Sequence, residues 1–152
     1  MESINAFENK EAEVIINVNS NNVESENDNY NRVSSMVTNF LIHLGFSLKC
    51  EGFDLVKDAI IFIVKDESDQ RYYFGRLTKA LYPELSKKYK KAPGSIERCI
   101  RYAIEKAFDY NGNGIAEEVM GNAYNPNKGR PTNGEFLYTI ARVVKDKFRG
   151  EF

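Results

Sequence analysis

The stretch RLTKALYPELSKKYKKAPGSIERCIRYAIEKAF, residues 76–108, decides the fold. Two helical patterns flank a short break within it. Leu77, Leu81, Leu85 and Tyr89 recur every four residues, which places them on one stripe of a helix over residues 76–89. Beyond Pro93, the residues Ile96, Ile100, Ala103 and Ala107 make a second stripe, with Cys99 and Ile104 beside it. The four or five residues between the two patterns suit a helix-turn-helix unit. Pro93 fits a first helical position, where its missing N–H is no loss. Ala92 ahead of it has no side-chain acceptor with which to cap, and Gly94 weakens the first turn. That turn is therefore expected to order only on binding.

Charge makes this unit informative. Residues 76–106 hold nine Lys or Arg against three Glu. Arg98 and Arg101 are three apart and share the helix face opposite Ile96, Ile100 and Ala103. Two guanidinium groups on one exposed face suit base edges or phosphates in a major groove. Lys87, Lys88, Lys90 and Lys91 fall at the end of the first helix and in the turn, where a duplex backbone would pass. Together with Lys79 they are candidate phosphate contacts. A solvated basic surface on a helical domain with another role is the plainer alternative.

The chain has 152 residues, enough for one domain with or without a tail. Apolar residues make up 42%, which supports a real core. The formal net charge of −1 hides an asymmetry, because residues 1–31 carry seven acids and one lysine, leaving the remainder cationic. No apolar run approaches a membrane span, and the start lacks a signal-peptide pattern. Two cysteines, Cys50 and Cys99, make no disulfide framework and are expected as small buried hydrophobes. A soluble cytoplasmic protein follows as the expectation.

Outside the central unit, residues 1–31 contain nine asparagines and form an acidic polar tail, expected to be flexible. Its one apolar run, AEVIINV at 12–18, is a candidate short strand that would need a partner chain. A helical domain is expected over 32–150. Its first helix spans 33–44, stopped by Gly45. Asp54 is a candidate cap for the next helix, whose AIIFIV run at 59–64 also fits a buried strand. DYNGNG at 109–114 reads as a turn, and IAEEVMG at 115–121 as a short helix closed by Gly121. The loop at 122–131 adds Lys128 and Arg130 as candidate phosphate contacts. Thr132 and Glu135 form a capping box. The helix they open has a wide apolar face, from which Phe136, Ile140, Val144 and Phe148 are candidate dimer contacts.

No nucleotide-binding glycine pattern, nucleophile elbow or zinc-protease motif is present. His43 is the only histidine and has no companion ligand. The stretch DYNGNGIAEE echoes a calcium loop but ends short of its twelfth ligand position. No enzyme activity, metal or cofactor is expected.

LTKALYPELSKKY, SIERCIRYAIE and RPTNGEF resemble the C-terminal effector domain of the sporulation master response regulator of endospore-forming Firmicutes. The resemblance runs from about Val33 to Phe148 and includes VTNFLIHLGF and GFDLVKDAI. It implies an all-α domain of about six helices around a helix-turn-helix, winged-helix-like but with no clear wing. The second helix would enter the major groove, and the last helix would help pairing on tandem sites. By position, the resemblance puts base-reading roles on Ser95, Glu97, Arg98 and Arg101. Ser95 departs from the family's usual arginine and cannot supply a bidentate fork, so the sequence read is expected to be altered or relaxed. Pro93 and Gly94 also depart from the family's helix start. The polar residues ahead of the domain cannot fold as a phosphoacceptor receiver, so a receiver-less regulator is expected.

Two functions compete. One is a small sequence-specific transcription regulator that binds double-stranded DNA, as a homodimer or in tandem pairing, controlled by its abundance, by dimerisation or by a protein partner held by the tail. The other is a protein-binding antagonist or partner of a full-length sporulation regulator, with weakened DNA reading. The acidic tail, folding back over the basic face to compete with DNA, and the departures at Ser95, Pro93 and Gly94 motivate the second.

Overall fold

The computed structural model describes residues 25–66, 77–111, 113–121, 125, 127 and 129–148. These fall into two units, Met1–Val33 and Ser34–Phe152. Residues 25–43 are helical (α1), and 25–33 of that stretch are the described part of the first unit. The helix thus begins eight residues earlier than its apolar pattern. The candidate strand at 12–18 lies outside the described residues, as does Lys128.

The second unit is all-α. After α1 come α2 (Glu51–Lys65), a π-helical turn (Leu77–Leu81), α3 (Tyr82–Tyr89), α4 (Pro93–Asn111), α5 (Asn113–Met120) and α6 (Asn133–Phe148). Among the described residues there are six α-helices and no strand.

The helix ends follow local chemistry. Gly45 adopts φ 94°, and α1 closes on it with Gly45 N–H donating to Ile42 O (3.0 Å) and Phe46 N–H to Leu41 O (2.9 Å). Those two bonds make a Schellman motif, which needs the left-handed residue glycine supplies. At the start of α6, Thr132 N–H donates to Glu135 Oε2 (3.1 Å) and Glu135 N–H to Thr132 Oγ1 (3.2 Å), the reciprocal pair of the expected capping box. Asp54 is not the cap of α2. The helix begins at Glu51, with Cys50 at the cap position and no side-chain cap bond, so Asp54 lies in the first turn. There its charge favours the helix N-terminus without a hydrogen bond. The ambiguous AIIFIV run is helical, with Ala59, Ile60, Ile61 and Ile63 buried. DYNGNG is not an open turn: α4 runs through Asn111 and α5 resumes at Asn113.

The core centres on Phe136, whose ring lies 5.4 Å from Phe46 and 6.1 Å from Phe108, edge-on to the latter. Helix α2 packs against α4 and α6, and α3 packs against α4. The four candidate dimer residues need correction. Phe136, Ile140 and Val144 are 0% exposed and Phe148 is 4% exposed. Their face is spent on α2, α4 and α5, so these side chains present no surface to a partner. An apolar stripe at helical spacing cannot by itself tell a neighbouring helix from a neighbouring subunit. The cysteines are free and half-buried, less enclosed than expected.

The crossing of α2 over α4 is unusually close. A Cβ placed on Gly52 would lie 2.7 Å from both Ala103 Cβ and the Cys99 carbonyl oxygen. A carbonyl within a helix cannot swing aside as a flexible side chain can. We therefore expect Gly52→Ala to lower unfolding free energy by about 1–3 kcal/mol, the usual penalty for overpacking. Urea unfolding of the two proteins with a shared m-value measures it.

Candidate nucleic-acid interface

The turn between α3 and α4 is set by backbone conformation and one serine. Lys90 is left-handed, at φ 53° and ψ 44°, and its N–H caps α3 on Ser86 O. Lys91 N–H reaches the same carbonyl at 3.3 Å, while Ser86 Oγ donates to Lys91 O. Three residues, 90–92, then lead to Pro93. Ser95 and Ile96 N–H donate to Ala92 O at 2.9 and 3.1 Å. Ala92 thus serves α4 through its backbone carbonyl, and the first turn is formed. The expectation that it would order only on binding is not met, because Pro93 presets φ and the opening bonds need no side chain.

Helix α4 has two faces. Ile96, Ile100, Ala103, Ile104 and Ala107 are buried. Arg98 and Arg101 are exposed, and Ser95 and Glu97 are half-buried. Arg98 Nε donates to Gly94 O at 3.3 Å, which lays the side chain back along the helix start. Arg101 Nη1 donates to Glu97 Oε1 at 2.9 Å. Its side chain is 53% exposed. A surface pair of this spacing is worth about 0.3–0.5 kcal/mol, too little to withhold the guanidinium from a base or phosphate.

The lysines around the turn differ in availability. Lys79 and Lys90 are exposed and have no carboxylate partner among the described residues. Lys87 sits 3.5 Å from Glu84 within its own helix, a weak exposed pair. Lys88 is held more firmly: its Nζ lies 2.7 Å from Asp58 Oδ2, and Tyr89 Oη donates to the same oxygen. Asp58 is only 13% exposed, so parting this pair leaves a shielded carboxylate with one donor fewer. Lys91 pairs with Glu51. Arg130 lies 2.5 Å from Asp109 and 3.8 Å from Glu105. His43 stands 4.0 Å from Glu118 on the surface.

A groove of about 640 Å³ runs between the starts of α4 and α6. Glu97, Arg101 and Glu105 of α4 line it together with Arg130, Tyr82 and Asn133. Burial raises the Tyr82 phenol above its ordinary value, and the hydrogen bond from Asn133 partly opposes that shift. The sequence patterns did not single out Tyr82, Asn133, Asp58 or Glu51. For Asn133 a signal existed: Thr132 already caps α6, so the next polar residue has another use.

The family described as sporulation initiation factor Spo0A C terminal matches residues 37–144. The chain belongs to that family, one of DNA-binding transcription regulators of sporulation rather than of enzymes. No helix among the described residues is long and apolar enough to cross a membrane.

Lys90 offers a test of the turn itself. A non-glycine residue in the left-handed region carries a strain that glycine avoids, partly offset by glycine's greater freedom when unfolded. Lys90→Gly is expected to raise stability by about 0.5–1 kcal/mol, read as an increased denaturation midpoint. An unchanged or lowered midpoint would mean the lysine contributes more than strain.

Proposed function

From that family membership, we propose that the chain reads a specific double-stranded DNA sequence, with α4 as the recognition helix in the major groove. The observation that carries this is the pair Arg98 and Arg101, both exposed on the first turns of α4 while the opposite face is buried. Two planar forks on one helix face suit guanine O6 and N7. Ser95 and Glu97 flank them and complete the reading set, with Glu97 suited to accept from a cytosine amine. Lys79, Lys87 and Lys90 are the proposed phosphate contacts. Lys88, Lys91 and Arg130 join only by leaving carboxylate partners. Lys128, outside the described residues, would add to them.

A second reading draws on those internal pairs. With Lys88, Lys91, Arg101 and Arg130 each beside a carboxylate, the cationic surface is partly neutralised, as suits a protein-binding antagonist of a full-length regulator. Duplex binding separates the two. Under the first reading, log affinity falls linearly with log salt. Arg98→Ala should cost about 1–3 kcal/mol on the preferred duplex while sparing non-cognate binding. Lys90→Gly should instead weaken all duplexes alike and reduce the salt slope by about 1. Duplex association that ignores salt would favour the antagonist.

Selection of bound duplexes from a random pool should converge on one motif. Repeating it with Ser95→Arg should gain a guanine at one position, because arginine adds a bidentate donor that serine lacks. An unchanged motif would place residue 95 away from the bases.

A further inference from the structure

Asn133 is the first residue of α6, after a threonine that already satisfies the helix start. Its amide is used elsewhere. Nδ2 donates to the backbone carbonyl of Glu97 in α4 at 3.1 Å and to Tyr82 Oη in α3 at 3.1 Å. A backbone carbonyl can only accept, so the nitrogen end of the amide must face it. Both amide hydrogens are then committed, one to each helix of the helix-turn-helix. Tyr82 is 3% exposed, so its oxygen has little access to water as a substitute. One side chain on the scaffold helix therefore touches recognition helix and supporting helix together.

We propose that Asn133 is a positioning residue that holds the recognition helix in register on the scaffold and thereby governs which bases Glu97 and Arg101 meet. This rests on the DNA reading proposed above. Apolar packing beneath α4 is non-directional and tolerates small slides and rotations. A hydrogen bond to a helical carbonyl is directional. Its acceptor belongs to Glu97, whose own side chain holds Arg101. Bidentate base reading tolerates only about 0.5 Å of misplacement, so a tether at this residue acts where placement matters most.

The test uses the full chain with Asn133→Asp. Aspartate keeps the size and suits the first turn of a helix, but it has no N–H and sets a negative charge against the Glu97 carbonyl. Two readouts are needed: the affinity ratio between the selected duplex and one with its motif scrambled, and solvent exchange of the Asn133 side-chain NH₂ protons in the unsubstituted protein by NMR. The expected result is a ratio lowered about tenfold, the scale of one bidentate contact, with scrambled-duplex binding retained and the chain still folded at the assay temperature. The NH₂ protons should exchange more slowly than those of exposed asparagines. An unchanged ratio, or an equal loss for every duplex as a merely structural role would give, overturns the proposal, and so does fast exchange. Should Asn133→Asp fail to fold, Asn133→Ala carries the same comparison, because it deletes the donor without adding charge. An unsubstituted chain that prefers no duplex overturns base reading and with it the specificity role. Slow exchange in that case leaves the tether standing, so the two failures are told apart.

Discussion

A missing side chain sets the position of α4. Gly52, in the first turn of α2, lies so near α4 that even a methyl group would meet the Cys99 carbonyl oxygen and Ala103 Cβ. Backbone therefore rests on backbone at this crossing. The contact is flanked by apolar side chains that are fully enclosed, Val56, Ala59 and Ile60 on α2 and Ile100 on α4. Each large buried side chain of this kind contributes roughly 1.5–3 kcal/mol. The crossing cannot open without exposing several of them, so α4 is seated as firmly as the core itself.

Electrostatics are arranged around that seat in two grades. Surface pairs such as Lys87–Glu84 and Arg101–Glu97 lie within one helix and are worth a few tenths of a kcal/mol. They steer side chains without binding them. The pair between Lys88 and Asp58 joins α3 to α2 and uses a carboxylate that is mostly shielded. With Tyr89 on the same oxygen, Asp58 works as a fixed acceptor for the end of α3. Basic residues next to each other in sequence thus have different physical employment. Lys88 anchors the supporting helix, while Lys90 has no carboxylate partner among the described residues and Lys87 only a weak one within its own helix.

That distinction also marks what the sequence made legible. Helical spacing identified α4, its buried stripe and the outward Arg98 and Arg101, because period 3.6 reports directly on which face is covered. Of the first stripe, Leu81 and Leu85 are buried while Leu77 and Tyr89 are half-buried, and its start, Leu77–Leu81, is a π-helical turn ahead of α3. The capping box at Thr132 and Glu135 and the glycine stop at Gly45 were legible because each is a local chemical pattern. Long-range partners were not. Nothing in the spacing of Lys88 points to Asp58, thirty residues earlier, and nothing in Asn133 names Glu97 as its acceptor. The face bearing Phe136, Ile140, Val144 and Phe148 suits packing within the domain and a partner subunit equally on its pattern, since amphipathicity records that a face is covered and not by what. DYNGNG has the composition of a turn, yet α4 continues into it. Local preference for turns is worth less than a kcal/mol per residue and yields where packing favours another helical turn.

Helix α4 thus carries two duties along its length. Its exposed face offers arginines near the N-terminus, and its buried face, from Ile96 to Phe108, belongs to the core. A surface helix that is also a core helix cannot shift to fit a ligand without repacking the interior, which is dense and resists deformation. Binding to such a surface proceeds with little ordering of the backbone, since the turn and the first helical bonds are already made. The entropy cost is confined to a few long side chains, on the order of 0.5–1.5 kcal/mol each. Under the proposed DNA reading, specificity comes from the fixed placement of a small number of groups, and less from adaptation to whatever sequence is presented.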